Sequence, residues 1–284
     1  MIPVMLHIPK NAGTYIQHVV FKYFVRTKQQ PGQYIRKITV EQDNINITAF
    51  CNFKTDYWKT DPNMKRHPVS VMRNVNNPRA GWCTLDTFNT YLQNDQLDTL
   101  FYVAEPAGMN DMRLTVNQIH KLIDATDDQV INFTILREPF SRQQSLYHYL
   151  RGEESTHEPS HDTFTCDTFE QHLISNQLED SWLVRVLTGD VNMSIDQGLF
   201  EQACSYLDVN NFLIGDIQET DQLLDQVLQT CFECVTTTED RKNPHRNSTK
   251  IENKITIEDL DEQTKQKFLE HTYWDRKLWE RYCK

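Results

Sequence analysis

Two places in this chain run from an apolar, β-forming stretch almost directly into a helical pattern, and nothing else in the sequence restricts the fold as tightly. VINFTIL (130–136) is the strongest strand signal, and it continues into REPFSRQQSLYHYLR. There Pro139 suits a first helical turn, and Phe140, Leu146 and Leu150 can face a core. PVMLHI (3–8) is followed by the loop PKNAGT and then TYIQHVVFKYF, with apolar residues at 16, 19, 20 and 24 and Thr14 placed to cap the helix. Strands separated by helices predict a parallel α/β sheet with right-handed crossovers.

The remaining pattern fills in around these two units. Strand candidates fall at 45–53 (INITAFCNF), 68–72 (PVSVM), 100–104 (LFYVA) and 211–217 (NFLIGDI), and a helix is expected over about 111–124. The second half reads as mostly helical, at about 168–187, 196–208, 219–232 and 256–282. With 284 residues, 8 Gly and 10 Pro, and no repeat, one domain spanning 1–284 is expected. Trp182, Phe200, Tyr206, Phe212 and Trp279 sit at core spacings, whereas Trp58 and Trp82 lie in less regular segments and could stack on a sugar ring.

A formal net charge of -11 speaks against nucleic acid or an anionic membrane as partner, since both need a broad positive field. Any anionic ligand then requires a local basic site. Two basic stretches exist: Lys65, Arg66, His67, Arg73 and Arg79, and Arg241, Lys242, His245, Arg246 and Lys250. Seven cysteines, an odd number, read as reduced thiols; the single CxxC, Cys231 and Cys234, has no partner pair at zinc spacing, so no metal is expected. Lys10 falls where a signal peptide would be apolar, and no run of 18 apolar residues occurs. The four N-x-S/T sequons, at Asn46, Asn132, Asn192 and Asn247, do not establish secretion.

In an open parallel sheet, ligands sit beyond the carboxyl ends of the strands, so the loops after PVMLHI and VINFTIL are the places for chemistry. PKNAGT offers backbone N–H groups, the positive end of a helix, the Thr14 hydroxyl and the Lys10 ammonium, a set suited to a tetrahedral oxyanion. It is not the nucleotide triphosphatase loop, because its lysine precedes the glycine by three residues. A plain turn with a surface lysine is the alternative. At the second junction Arg137 can grip a phosphate with two N–H groups while Ser145 donates a hydroxyl, unless Arg137 instead pairs with Glu138 or a helix end. Two anion sites on one sheet edge call for a ligand with two separated anionic groups.

HIPKNAGT together with FTILREPFSRQQSLYHYL resembles the glycan sulfotransferases of the heparan sulfate 2-O- and 6-O-sulfotransferase type, with their microbial and viral relatives. The resemblance implies a P-loop-like sheet flanked by helices and 3′-phosphoadenosine 5′-phosphosulfate (PAPS) as sulfuryl donor, with PAP as product and no metal. It implies that Lys10, Asn11, Ala12, Gly13, Thr14 and Tyr15 hold the 5′-phosphosulfate and that Arg137 and Ser145 hold the 3′-phosphate. More faintly, FLIGDIQETDQLLDQVL looks like a later strand and helix of the family, NPHRNSTK, with Arg246, like its basic lid, and HTYWDRKLWERYCK like its closing helix. The segments 27–99 and 152–210 carry no such likeness.

Sulfuryl transfer is an in-line displacement, so Lys10 is expected to stabilise the bridging oxygen and a general base must take the acceptor's proton. Relatives often place a histidine after the middle strand. Here LFYVA is followed by Glu105, which becomes the first candidate base, with His67 second and the helical His120 and His148 third. The expected activity is sulfuryl transfer from PAPS to a hydroxyl of a carbohydrate or sugar-bearing acceptor. The competing readings are a nucleotide or small-molecule kinase on a related sheet and a non-catalytic PAP-binding module. The expected location is the cytosol of a microbe or virus-infected cell, or alternatively a Golgi lumen after trimming.

Overall fold

The computed structural model describes residues 1–8, 11–29, 31, 33–42, 45–54, 65–66, 80–94, 97–105, 119–120, 129–151, 166–175, 181–189, 194–242 and 255–284. Their centre is an eight-stranded sheet flanked by helices. In chain order the strands are β1 (Ile2–Leu6), β2 (Tyr34–Gln42), β3 (Ile45–Phe53), β4 (Lys65–Arg66), β5 (Ala80–Thr84), β6 (Leu97–Glu105), β7 (Val130–Leu136) and β8 (Leu213–Asp216). Their spatial order is β4-β5-β2-β3-β6-β1-β7-β8.

Half of this sheet is as the sequence predicts. β6, β1, β7 and β8 are parallel neighbours. The other half departs from an all-parallel sheet, because β2 and β3 form an antiparallel pair and β3 also lies antiparallel on β6. A short connection between β2 and β3 can only join antiparallel strands, since a parallel return needs a dozen residues or more. β2 and β5 were not expected. In β2, Ile35, Ile38 and Val40 are buried, but Arg36, Lys37 and Glu41 interrupt the apolar pattern that announces a strand.

Along β1, side chains alternate between the two faces as a pleated strand requires. Val4 and Leu6 join one core with Tyr102, Ala104 and Leu136, packed under the helices α5 (Trp182–Thr188), α6 (Gln197–Val209) and α10 (Tyr273–Cys283). Met5 joins the opposite core with Phe101, Phe133 and Ile135, covered by α1 (Gly13–Thr27) and α7 (Thr220–Phe232). Beyond Gly13, the buried residues of α1 are Ile16, Val19, Val20, Tyr23 and Phe24, the i, i+3, i+4, i+7, i+8 stripe of a helix lying on a sheet. Phe133 is fully buried and meets Phe101 edge-on, with centroids 5.7 Å apart. A third core gathers α3 (Pro139–Leu150), α4 (Phe169–Ile174) and α9 (Glu262–His271) around Phe140, Phe169 and Phe268.

Two predicted helices are divided. The span 168–187 holds α4 and α5, with Ser181 in a left-handed conformation (φ 46°) where its amide donates to His271 O at 2.8 Å. The span 256–282 opens with a 3-10 turn (Ile257–Asp259) and then holds α9 and α10, which meet at Thr272. Helix α2 (Leu85–Gln93) was not anticipated, whereas α6 and α7 match their predicted spans to within a residue. PVSVM at 68–72 lies outside the described residues, as does 111–124 apart from Ile119 and His120. Of the predicted core aromatics, Trp182 and Phe200 are buried, and Tyr206, Phe212 and Trp279 pack against the same core. Among the described residues no helix is long and apolar enough to cross a membrane.

Candidate functional site

The three strands β6, β1 and β7 finish at one edge of the sheet. Leu6 stands opposite Ala104 on one side and Thr134 on the other. His7 continues the ladder by donating its amide to Ala104 O at 2.8 Å, and the Thr134 hydroxyl donates to Leu6 O at 2.8 Å. The loops that follow these strands therefore leave the sheet side by side.

After β1 the chain is turned by two residues with distinct tasks. Asn11 is fully buried, and its Nδ2 donates to Ile135 O on β7 at 2.8 Å, while its Oδ1 has no hydrogen-bond partner. This asparagine ties the first loop to the neighbouring strand. Ala12 adopts a left-handed conformation (φ 61°, ψ 8°), strained for a residue with a Cβ, and the helix begins at Gly13. Ala12, not Thr14, thus occupies the cap position; Thr14 is the second helical residue and is exposed.

No side chain caps α1 and no acid lies in its first turn. The first backbone bond runs from Ile16 N to Ala12 O at 3.0 Å, so the amides of Gly13, Thr14 and Tyr15 precede the helical ladder. With the helix dipole behind them, these groups present positive charge at the sheet edge. The His7 imidazole lies directly over Gly13: a Cβ there would stand 1.8 Å from Nε2. Only glycine leaves room for the ring in this position.

The second junction is built differently. The Glu138 carboxylate caps α3, accepting from Phe140 N at 2.9 Å and Ser141 N at 2.7 Å. Both of its oxygens serve the helix. Arg137 is half-buried, and its Nε donates to Ser141 Oγ at 2.9 Å. Ser145 follows Ser141 by four residues, on the same face of α3, and is half-buried.

Behind this face α3 carries polar groups into the interior. The Arg142 guanidinium lies 4.1 Å from the centre of the Trp182 ring, and Gln143 Oε1 is 3.2 Å from His172 Nε2. Burial lowers His172 to about 4, so it is neutral near pH 7.

A further network runs from the first turn of α1 to the residues leading out of α8 (Thr238–Arg241). The Tyr15 hydroxyl donates to Asp221 Oδ1 at 2.6 Å, and Arg241 pairs with Asp225 and approaches Asp221 at 3.9 Å. Burial raises the Asp225 carboxyl, but the hydrogen bonds from Thr236 and Arg241 outweigh it and leave the group below its ordinary range. Arg26 and the buried Asp240 pair at 2.6 Å, and Lys22 Nζ donates to Lys242 O at 2.5 Å. The approach to the second basic stretch is thereby fastened along α1.

Of the residues expected at the site, Asn11, Ala12, Gly13, Thr14 and Tyr15 form the first junction, Arg137 opens the second at the same edge, and Ser145 stands further along α3, one turn past Ser141. Glu105 is the last residue of β6, so its backbone reaches the same edge beside His7; its side chain lies outside the described positions, and so do Lys10, His67 and Arg246. The helical histidines have packing partners elsewhere: His120 Nε2 is 3.2 Å from Asn132 Oδ1, and His148 meets Tyr147 edge-on. Sequence reasoning missed His7, Ser141 and Asp221. His7 was visible as the first residue past a strand, and Ser141 as one turn before Ser145; Asp221 left no local signal. Among the described residues six cysteines, Cys231 and Cys234 included, are free thiols, and no three His, Cys, Asp or Glu side chains cluster to hold a metal.

No protein-family model matches the chain, and neither the curated proteins nor the solved structures give a significant match.

Proposed function

We propose that the chain is an O-sulfotransferase that moves the sulfuryl group of PAPS to a hydroxyl of a carbohydrate or sugar-bearing acceptor, on a P-loop-like sulfotransferase sheet. One observation carries this reading: an uncapped helix start after β1 and an arginine after the adjacent, parallel β7 lie on one sheet edge, joined by the Asn11 side chain. That pairing suits a nucleotide with two separated anionic groups better than it suits a single phosphate.

In this reading the amides of Gly13, Thr14 and Tyr15 and the Lys10 ammonium receive the phosphosulfate, and Arg137 with Ser145 receives the 3′-phosphate. Charge developing on the bridging oxygen then falls where donors are already aimed, which is how fixed dipoles lower such a barrier. Glu105, at the end of β6 next to His7, has the backbone position for the base, and His7 joins it and His67 as a candidate. Arg246, in the second basic stretch, is a further candidate for contact with the nucleotide, as the resemblance to the glycan sulfotransferases implies.

Calorimetric titration tests the donor. Tight PAP binding that does not need magnesium, with no ATP binding, is the expected result, and magnesium-dependent ATP binding would transfer the site to a kinase. Transfer of label from PAPS to a glycan panel then separates an enzyme from a PAP-binding module, with Glu105→Gln expected to stop turnover and keep PAP affinity.

A further inference from the structure

A second site lies away from the strand ends. Where α9 meets α10 at Thr272, a groove of about 660 Å³ opens, and none of its lining residues belongs to either junction. Its volume falls within the range of about 300–1,000 Å³ typical of small-molecule sites.

One wall is aromatic and held rigidly. The Trp274 indole N–H donates to Ile195 O at 3.1 Å, and its ring packs on Phe200 with centroids 5.4 Å apart. Tyr273 meets that ring edge-on at 4.8 Å, and Leu269 extends the apolar surface. The Lys277 ammonium stands 4.6 Å from the Tyr273 ring centre and 4.9 Å from that of Trp274, adding positive charge beside the wall.

The charges lining the groove do not cancel locally. Glu262 faces Lys265 at 3.8 Å, and Glu270 accepts from Gln266 at 2.9 Å, so both carboxylates have partners. Arg276 has none among the described residues, and its Nε is buried without a hydrogen bond. Arg276 as a whole is half-buried, and a guanidinium at the groove with no carboxylate partner favours an acceptor that supplies charge and planar geometry together. From these groups we infer that the groove between α9 and α10 binds a ring-bearing organic carboxylate, its carboxylate on Arg276 and its ring against Tyr273 and Trp274. The site does not depend on sulfuryl transfer at the strand ends.

The indole resonances of the ¹⁵N-labelled full chain give the readout, with Trp274→Phe identifying the Trp274 signal. Phenylacetate and glucuronate are the probes, and neutral phenylacetamide is the control. A saturable shift of the Trp274 signal by either acid, at least tenfold weaker with the amide, is expected, and the acid that binds tells aryl from sugar ligands. Arg276→Gln should weaken binding at least tenfold with an unchanged melting temperature, and Arg276→Lys, which keeps the charge but not the fork, should fall between. Saturating PAP should leave the titration unaltered. No saturable shift with either acid, equal binding of acid and amide, undiminished affinity in both arginine variants, or displacement by PAP would each overturn the site.

Discussion

The junctions after β1 and β7 begin alike, with a buried strand delivering its chain to the same sheet edge, and then treat their helices in opposite ways. After β1 the helix start is left without a capping side chain, and the buried Asn11 spends its amide on the neighbouring strand. After β7 the helix start is filled by the protein's own carboxylate, Glu138, and the cation is carried just before it by Arg137. One junction offers backbone donors and the other a guanidinium. The difference teaches that a strand-loop-helix pattern alone does not say which donors a junction can offer an anion; that depends on whether the chain has already satisfied the helix end.

Acid should separate the two most strongly. Folded His172, behind the second junction, takes its proton near pH 4, whereas the unfolded chain's histidine takes it near 6.5. The unfolded state therefore holds more protons between these values, so this contribution to stability is complete above pH 6.5 and falls by about 3 kcal/mol as the pH drops through 4. Denaturant titrations across this range should show the loss, and His172→Phe should flatten it.

Next in size, Arg137→Ala should cost PAP about a hundredfold in affinity, roughly 3 kcal/mol, by calorimetry while melting within a few degrees of the parent. An unchanged affinity would remove the second junction from the site. Asn11→Ala should lower stability by about 1–3 kcal/mol in chemical denaturation, because it leaves the Ile135 carbonyl without its buried donor.

Glu138→Ala should cost about 1 kcal/mol as a lost helix cap and, by opening the start of α3, make the second junction resemble the first. If sulfate then protects the variant more than the parent in thermal melts, the contrast between the junctions is confirmed. The smallest effect is expected from Ser141→Ala, which frees the Arg137 guanidinium from one hydrogen bond and should change PAP affinity only a few-fold.

The elements that set the site were legible because each is contiguous: an apolar run, a short loop, a 3.6-residue stripe. Strand directions on the far side were not, since β2 hides its alternation behind Arg36, Lys37 and Glu41, and its direction depends on a pairing with β3 rather than on its own residues. The break at Ser181 was invisible for a similar reason. It is held by the His271 carbonyl, 90 residues away, with neither glycine nor proline to mark it. At the candidate site, the placement of Arg137 just past β7 and of Ser145 within α3 was readable from the strand-to-helix pattern, but the inward use of Asn11, the capping by Glu138 and the seat of His7 over Gly13 arise from contacts that no local pattern encodes.

The fastening of the first loop at both ends, His7 to β6 and Asn11 to β7, also bears on the thermodynamics of association. The backbone donors that open α1 are held by the sheet before any ligand arrives, so little conformational entropy remains to be lost there. Anion capture at this end should therefore be driven by enthalpy, with only a small change in heat capacity, the signature of a rigid receptor and not of one that folds around its guest.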